Sequence, residues 1–166
     1  MKLVVLADLI PDAVIDLRYS QNENFTGQIL YTGQQAIVPK LDEPAALALA
    51  QASDSLRRQG LFIVIWDSYR PETVQQQLRQ INNDGNYVSE NSNHCLGRAI
   101  DLTLMTSDGR YLDMGTDFDK FTPKAHANSQ QIDSLQQANR QILKSAMKAT
   151  GFKQWPYEWW HFDFIS

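Results

Sequence analysis

The sequence predicts an α+β fold in which helices flank a central antiparallel sheet, and three patterns support this prediction. Residues 61–66 form a short, continuous apolar run rich in β-branched side chains, which is typical of a buried central strand. Residues 99–105 alternate in polarity, as a second core strand does. Apolar side chains recur every three or four positions over residues 132–147, which indicates an amphipathic helix. Strands and helices do not alternate regularly, and this favours antiparallel pairing.

The first third of the chain contains weaker signals for regular structure. Residues 3–7 and 13–18 favour strands, whereas the glycines within residues 22–34 favour a loop or a short hairpin. A helix is predicted from Asp42, a good N-cap residue, to Gly60, which lies where a C-cap glycine is expected.

The remaining elements are predicted from breakers and periodicity. Pro71 is well placed to open a helix that continues to residue 81. Residues 82–93 are polar and are expected to form a mobile loop. A hairpin turn is expected at Asp108 and Gly109. Residues 115–129 are irregular, Gly151 ends the long helix, and an aromatic alternating segment predicts a terminal strand over residues 159–165.

Composition limits the classes of partner. The 166 residues fit one domain, residues 1–166. Lys and Arg number 15 against 19 Asp and Glu, so a net charge of −4 gives no reason to expect a nucleic acid or an anionic membrane as partner. No apolar stretch approaches the roughly 20 residues of a membrane span, and residues 3–7 are too short for a signal sequence. We therefore expect a cytoplasmic protein.

Few residues are available for metal chemistry. The single cysteine, Cys95, excludes an intrachain disulfide and a multi-cysteine zinc site. The three histidines are His94, His126 and His161. His126 is expected on a surface loop, and Cys95 is expected to point away from a metal. The remaining two histidines are therefore the candidates for a metal site.

Two histidines and one carboxylate form the smallest protein set that holds a catalytic zinc and leaves a position for water. His94, Asp101 and His161 can supply that set if the chain turns at Gly97. Other interpretations remain open, because His161 can be a core histidine bonded to backbone and His94 can be solvated. Asp101 lies in a predicted strand between apolar side chains, so it requires a metal, a cation or backbone donors.

Glu158 and Arg70 are candidates for chemistry beside such a metal. Glu158 lies three residues before His161, and an extended segment would place the two on opposite faces. A turn, helped by Pro156, is therefore needed before Glu158 can act as a general base. Arg70 follows the first core strand, where a guanidinium can bind a carboxylate or stabilise an oxyanion. The alternatives are a surface position for Glu158 and a structural carboxylate as the partner of Arg70.

Taken together, these segments resemble the zinc D-alanyl-D-alanine dipeptidases of the VanX type. The similar segments are Asn24-Phe25-Thr26-Gly27, Asp67-Ser68-Tyr69-Arg70-Pro71, Ser92-x-His94-x-x-Gly97-x-Ala99-x-Asp101, Ala99-Ile100-Asp101-Leu102-Thr103-Leu104, Met114-Gly115-Thr116-x-Phe118-Asp119 and Glu158-Trp159-Trp160-His161. They follow one another in the same order from about residue 16 to residue 164, which is nearly the whole chain.

The resemblance implies a fold, a metal and a reaction. The fold is the α+β zinc peptidase fold that is shared with the D-Ala-D-Ala carboxypeptidases and the Hedgehog signalling domain. One zinc ion per chain would be held by His94, Asp101 and His161. Glu158 would be the general base for the attacking water, and Arg70 would stabilise the tetrahedral intermediate. The reaction would be hydrolysis of D-Ala-D-Ala to two D-Ala, in cell-wall turnover or glycopeptide resistance.

The resemblance also implies substrate contacts. Asp119 and Tyr19 match family positions near the free amino terminus of the dipeptide, and Ser92 with Asn93 lies where the family binds substrate. The chain departs from the family in a short segment between Arg70 and Ser92, which predicts a more open cleft.

Two alternative functions remain open. One is a D,D- or L,D-carboxypeptidase or endopeptidase on peptidoglycan peptides, against which the lack of a signal sequence argues. The other is a non-catalytic, zinc-stabilised binding module, against which the presence of both Glu158 and Arg70 argues.

Overall fold

A computed structural model of the protein describes residues 1–33 and 38–165. Its strands are β1 Leu3–Val5, β2 Val14–Ile15, β3 Lys40–Asp42, β4 Leu61–Asp67, β5 Ala99–Thr106, β6 Phe152–Gln154 and β7 His161–Phe164. Its α-helices are α1 Leu6–Leu9, α2 Glu43–Arg57, α3 Glu72–Ile81 and α4 Ser134–Ala149. Short 3-10 helices lie at Arg18–Ser20, Asn93–Leu96 and Pro123–Ala125. Five strands form one sheet in the order β2-β4-β5-β7-β6, and β1 pairs separately with β3.

The two strands with the clearest sequence patterns form the centre of the sheet. The last five residues of β4 and the first six of β5 are buried. β4 pairs antiparallel with β5, β5 with β7, and β7 with β6. The α+β prediction is therefore confirmed, and three of the four pairings in this sheet have the predicted antiparallel direction.

One pairing corrects the antiparallel prediction. β2 runs parallel to β4, with Val14 opposite Val64. Between these strands the chain passes through α2, and a helical crossover returns the chain in the same direction. The sheet is therefore mixed, with its one parallel pairing at the β2 edge.

Helix α2 covers one face of β4 and also contacts α4. Its side chains Ala46, Leu49 and Leu56 are fully buried, as the predicted apolar stripe requires. Asp42 occupies the predicted N-cap position of α2. Its side chain accepts a hydrogen bond from the Lys2 backbone N–H at 2.7 Å and does not cap the helix.

Several short elements differ from their predicted limits. The predicted strand over residues 3–7 ends at residue 5 and continues as α1, and the strand over residues 13–18 shrinks to β2. The return strand after the predicted hairpin turn is reduced to one bridge between Met105 and Tyr111. The terminal strand begins at residue 161 rather than 159, and β3 and β6 were not predicted. The loop predicted at 22–34 is irregular to residue 33, and residue 34 lies outside the described residues.

A buried arginine of α4 fixes the irregular segment that precedes this helix. Arg140 donates to the carbonyl oxygens of Met114 at 2.7 Å, His126 at 3.0 Å and Lys124 at 3.1 Å. These three bonds hold both ends of the stretch that contains Asp119. Among the described residues, every helix is too short or too polar to cross a membrane.

Candidate metal centre and active site

Two histidines and an aspartate meet where β5 and β7 pair. His94, Asp101 and His161 each offer one ligand atom, and these atoms all lie within 4.8 Å of one another. Asp101 is the direct partner of His161 across the two strands, with 2.9 Å between Oδ1 and Nδ1. His94 Nε2 lies 3.3 Å from His161 Nδ1 and 3.4 Å from Asp101 Oδ2. The set fits a zinc ion with three protein ligands and a fourth position for water.

The position of His94 depends on a tight turn. His94 lies in the 3-10 helix Asn93–Leu96, and its backbone N–H donates to Ser92 Oγ at 3.3 Å. Gly97 ends this helix with a φ of +63°, where glycine is favoured. A Cβ atom on Gly97 would lie 2.8 Å from the backbone nitrogen of Asp42. The predicted turn between the first two ligands is therefore confirmed.

Each imidazole has a second polar partner on its other ring nitrogen. His94 Nδ1 lies 2.7 Å from the Ser68 carbonyl oxygen, and His161 Nε2 lies 3.2 Å from Asp163 Oδ1. If each of these nitrogens carries the ring proton, His94 Nε2 and His161 Nδ1 present lone pairs to the metal position. The alternative of a backbone-bonded core His161 is wrong, because its second partner is the Asp163 carboxylate, and the alternative of a solvated His94 is wrong, because His94 is buried.

Charge in the site is arranged around the carboxylate ligand. Burial alone would raise the pKa of Asp101, but the neighbouring His94 and His161 outweigh burial and hold that pKa well below its usual range. Asp101 is therefore ionised at neutral pH and available as a ligand.

Glu158 reaches the same site through a turn. The His161 backbone N–H donates to the Glu158 carbonyl oxygen at 3.4 Å, and Glu158 Oε2 lies 3.9 Å from His161 Nδ1. The predicted requirement for a turn is therefore confirmed, and the predicted alternative of a surface position is wrong, because Glu158 is only 6% exposed. Burial raises the pKa of the Glu158 carboxyl well above its usual value.

Arg70 pairs with a structural carboxylate, which was the alternative considered for it, and it also lies beside the proposed metal ligands. Its Nε and Nη2 donate to Asp67 Oδ2 at 2.9 and 2.6 Å, so it pairs with a buried carboxylate. Its Nη2 also lies 3.9 Å from Asp101 Oδ2, beside the metal ligands. The Arg70 guanidinium is thus held rigidly at the edge of the site, where a donor can stabilise a developing oxyanion.

Asp67, Tyr31 and Gln75 support Arg70, and none of the three was predicted as a site residue. The Tyr31 hydroxyl donates to Asp67 Oδ1, on the carboxylate that holds Arg70. Gln75 is 1% exposed; its Oε1 accepts from Arg70 Nη1 at 2.6 Å, and its Nε2 donates to the Ser89 carbonyl oxygen at 2.7 Å. Gln75 therefore connects Arg70 to the segment over residues 82–93.

All nine predicted site residues line one cavity of about 130 Å³. They are Tyr19, Arg70, Ser92, Asn93, His94, Asp101, Asp119, Glu158 and His161. A cavity of this size is smaller than the roughly 300–1,000 Å³ of sites for drug-sized ligands, so it fits a small molecule.

An aromatic wall closes one side of the cavity. The Tyr87 ring stacks on Phe121 with 4.6 Å between centroids, and Trp155 Nε1 donates to the Asn86 carbonyl oxygen at 2.8 Å. Arg79 also donates to the carbonyl oxygen of Val88 at 3.0 Å. The segment over residues 82–93 is anchored by these contacts and forms one wall of the cavity, and the more open cleft stays a prediction.

Asp119 and Tyr19 form a polar corner of the cavity. Phe25 donates its backbone N–H to Asp119 Oδ2 at 3.2 Å, and the Tyr19 hydroxyl lies 3.4 Å from Asp119 Oδ1. Burial, with a further contribution from the charge of Asp101, raises the pKa of Asp119 to about 8. Asp119 is the one described non-glycine residue with positive φ, at +58°, and this backbone conformation helps to aim its side chain.

Two residues lie apart from the metal group. His126 is half-buried, with its ring edge-on to Tyr157 at 5.3 Å, so the prediction of a surface position is wrong; among the described residues it is not a member of the metal group. Cys95 is also outside the metal group in the described part of the chain. Burial and the neighbouring Glu72 raise the pKa of the Cys95 thiol to about 12.

Comparisons with known proteins show the family of the chain. Residues 1–166 match the Peptidase M15 family, described as D-Ala-D-Ala dipeptidase. The D-alanyl-D-alanine dipeptidase of Escherichia coli K12 is 38% identical over 165 residues, covering 98% of this chain and 84% of that protein. The D-alanyl-D-alanine dipeptidase of Enterococcus faecalis V583 is 29% identical over 176 residues, covering 91% of this chain and 85% of that protein.

Two solved structures have a similar fold. VanYB in complex with D-Ala-D-Ala has a TM-score of 0.52 and 16% identity, covering 81% of this chain and 76% of that chain. A variant of the vancomycin-resistance D,D-pentapeptidase VanY in complex with Zn(II) has a TM-score of 0.51 and 16% identity, covering 78% of this chain and 75% of that chain.

Proposed function

The chain belongs to the Peptidase M15 family of D-Ala-D-Ala dipeptidases, and we propose that it uses one zinc ion to hydrolyse D-Ala-D-Ala to two molecules of D-alanine. The convergence of His94, Asp101 and His161 beside Glu158 and Arg70 in one small cavity carries this proposal. The donor set fits zinc, and the two further groups supply what hydrolysis of a peptide bond needs besides a metal.

Proton transfer is assigned to Glu158. His94, Asp101 and His161 would hold the zinc ion, which would supply Lewis acidity that lowers the pKa of a water molecule towards about 7. Glu158 accepts the proton that the attacking water releases as the new C–O bond forms. Glu158 then gives this proton to the leaving amine nitrogen as the C–N bond breaks. Burial raises the pKa of the Glu158 carboxyl well above its usual value, which makes its carboxylate a stronger proton acceptor.

Arg70 and the polar corner hold the substrate. The Arg70 guanidinium, fixed by Asp67 and Gln75, donates to the carbonyl oxygen that gains negative charge. Asp119 and Tyr19 present oxygens that can bind the free ammonium group of a dipeptide.

The remaining predicted contacts are Ser92 and Asn93, which line the same cavity and are proposed to contact the substrate. The aromatic wall formed by Tyr87, Phe121 and Trp155 limits the space beyond it, which favours a dipeptide over a longer chain.

Hydrolysis of three substrates tests this function. Purified zinc-loaded protein is incubated with D-Ala-D-Ala, L-Ala-L-Ala and N-acetyl-D-Ala-D-Ala, and released alanine is measured by chromatography. Release from D-Ala-D-Ala alone is expected, with activity lost after chelation and restored by zinc. Cleavage of the N-acetylated peptide would instead indicate a carboxypeptidase. No turnover of any substrate by protein that holds one zinc would indicate a binding module.

The cellular setting is also proposed. We place the enzyme in the cytoplasm, where it removes D-Ala-D-Ala during cell-wall turnover or glycopeptide resistance. The anionic composition supports this setting, since a small zwitterionic substrate requires no basic patch. Cell fractionation, together with measurement of the D-Ala-D-Ala pool with and without the protein, tests this setting. An unchanged pool would contradict the proposed role.

A further inference from the structure

Asp163 contacts the metal ligand His161 from the side opposite to the metal position. The two residues lie two positions apart on β7, so their side chains share one face of the sheet. Asp163 Oδ1 lies 3.2 Å from His161 Nε2, whereas His161 Nδ1 faces Asp101 and His94. Within the described residues, Asp163 is not a member of the metal-binding group, so any effect on the metal passes through His161.

We propose that Asp163 is a positioning residue that fixes the ring orientation and tautomer of His161. With the Asp163 carboxylate as acceptor, the ring proton stays on His161 Nε2 and the Nδ1 lone pair points to the metal. A charged acceptor also makes the imidazole a stronger ligand than a neutral acceptor does. This proposal rests on the proposed zinc site. Its direct consequence is for the affinity of the protein for the metal, and any effect on catalysis follows from that affinity.

A second contact holds Asp163 in place. Asn93 Nδ2 donates to the same oxygen, Asp163 Oδ1, at 3.0 Å. Asn93 comes directly before His94 and belongs to the same 3-10 helix. Asp163 therefore links the segment that holds one imidazole ligand to the strand that holds the other.

The strand register leaves space for this arrangement. Asp163 is paired with Ala99 across β5 and β7, two positions from the pair formed by Asp101 and His161. Alanine is the smallest side chain with a Cβ, so the carboxylate of Asp163 can lie over it and reach both His161 and Asn93. His94 is oriented differently, because its Nδ1 lies 2.7 Å from the Ser68 backbone carbonyl oxygen and 3.8 Å from the Asp67 carboxylate.

The test compares the zinc affinity of two variants of Asp163 that remove its interactions to different extents. Asp163→Asn keeps the shape and an acceptor oxygen but removes the charge, whereas Asp163→Ala removes the acceptor. Zinc dissociation constants are measured by competition with a chromophoric chelator, and the visible spectrum of the cobalt-substituted protein reports ligand geometry. Asp117→Asn is the matched control, because Asp117 is exposed and lies outside this cavity.

We expect zinc to bind about 10–100-fold more weakly to Asp163→Ala than to the wild type, with Asp163→Asn intermediate and Asp117→Asn unchanged. The cobalt spectrum of Asp163→Ala is expected to shift. Wild-type zinc affinity and an unchanged cobalt spectrum in Asp163→Ala would overturn the proposal. If that variant does not fold, wild-type affinity and spectrum in Asp163→Asn would overturn it. A wild-type protein that binds zinc but hydrolyses no dipeptide would overturn the proposed function alone.

Discussion

Asp101 and His161 face each other across β5 and β7, with 2.9 Å between the carboxylate oxygen and Nδ1. These strands lie in the interior of the five-stranded sheet, so two of the three proposed metal ligands are set by strand register rather than by a loop. The third ligand, His94, enters from a turn that Gly97 makes possible. A site built on rigid elements in this way is expected to be formed before the metal binds.

Removal of a ligand should therefore remove the metal. His161→Ala is expected to lose stoichiometric zinc, because two remaining ligands hold the ion poorly. Zinc content after dialysis, measured by atomic emission, checks this prediction. His126→Ala is the matched control and should retain zinc, since His126 lies outside the metal group. One zinc per chain in His161→Ala would contradict the ligand assignment.

Gln75 should affect both stability and catalysis through Arg70. In Gln75→Met the Arg70 Nη1 and the Ser89 carbonyl oxygen lose their partner, which should cost about 1–3 kcal/mol of unfolding free energy. Catalytic turnover should fall as well, because the Arg70 guanidinium loses its Nη1 contact and is then fixed by Asp67 alone. Urea unfolding and the rate of D-alanine release measure the two effects. Gln76→Met at the exposed neighbouring position should change neither, and equal behaviour of the two variants would refute the role of Gln75.

The raised pKa of Asp119 predicts a pH dependence of substrate capture. With a pKa of about 8, Asp119 is mostly protonated at pH 6 and becomes a carboxylate as the pH rises. Because the ionised form attracts an ammonium group, kcat/KM for D-Ala-D-Ala should increase from pH 6 towards 8. Asp119→Asn should lower kcat/KM by about 10–100-fold at pH 8, in keeping with the loss of a charged hydrogen bond. The Asp119→Asn variant should also show a smaller increase of kcat/KM between pH 6 and 8. If kcat/KM of the variant increases as much as that of the wild type, Asp119 is not the group that causes the increase.

The raised pKa of Asp119 also predicts that the stability of the fold depends on pH. A folded-state pKa above the unfolded value of about 3.9 means that the folded protein binds more protons between these two values. The contribution of Asp119 to stability is therefore present at low pH and is lost as the pH rises through about 8. Asp119→Asn should raise the melting temperature at pH 8 more than at pH 5. An equal change at both pH values would argue against a titrating carboxyl group.

Strong periodic patterns allowed the core to be predicted from the sequence. β4, β5 and α4 each have a long apolar pattern. In the structure each of these segments has the secondary structure that its pattern predicts. β2, β3 and β6 have two or three residues each, which is too short for a periodicity to be recognised. The parallel direction of β2 follows from the path of α2, which no local pattern encodes.

The three proposed metal ligands could be selected from the sequence because each belongs to a recognisable motif. Asp67 belongs to such a motif too, but its identity as the partner of Arg70, like the role of Gln75, depends on contacts that only the tertiary structure creates. A signal did exist for Asp163, because a residue two positions after His161 in an alternating strand lies on the same face. Residues that orient a ligand are thus accessible to sequence reasoning once the strand and its ligand are identified.

Glu158→Gln tests the central claim most directly, because this substitution removes the proton acceptor and keeps its size. Zinc content and the rate of D-alanine release from D-Ala-D-Ala are measured on the same preparation as the wild type. We expect one zinc per chain in both proteins and a turnover about 10²–10⁴-fold lower in the variant. Loss of zinc would identify Glu158 as a ligand, and wild-type turnover with zinc retained would show that Glu158 is not the general base.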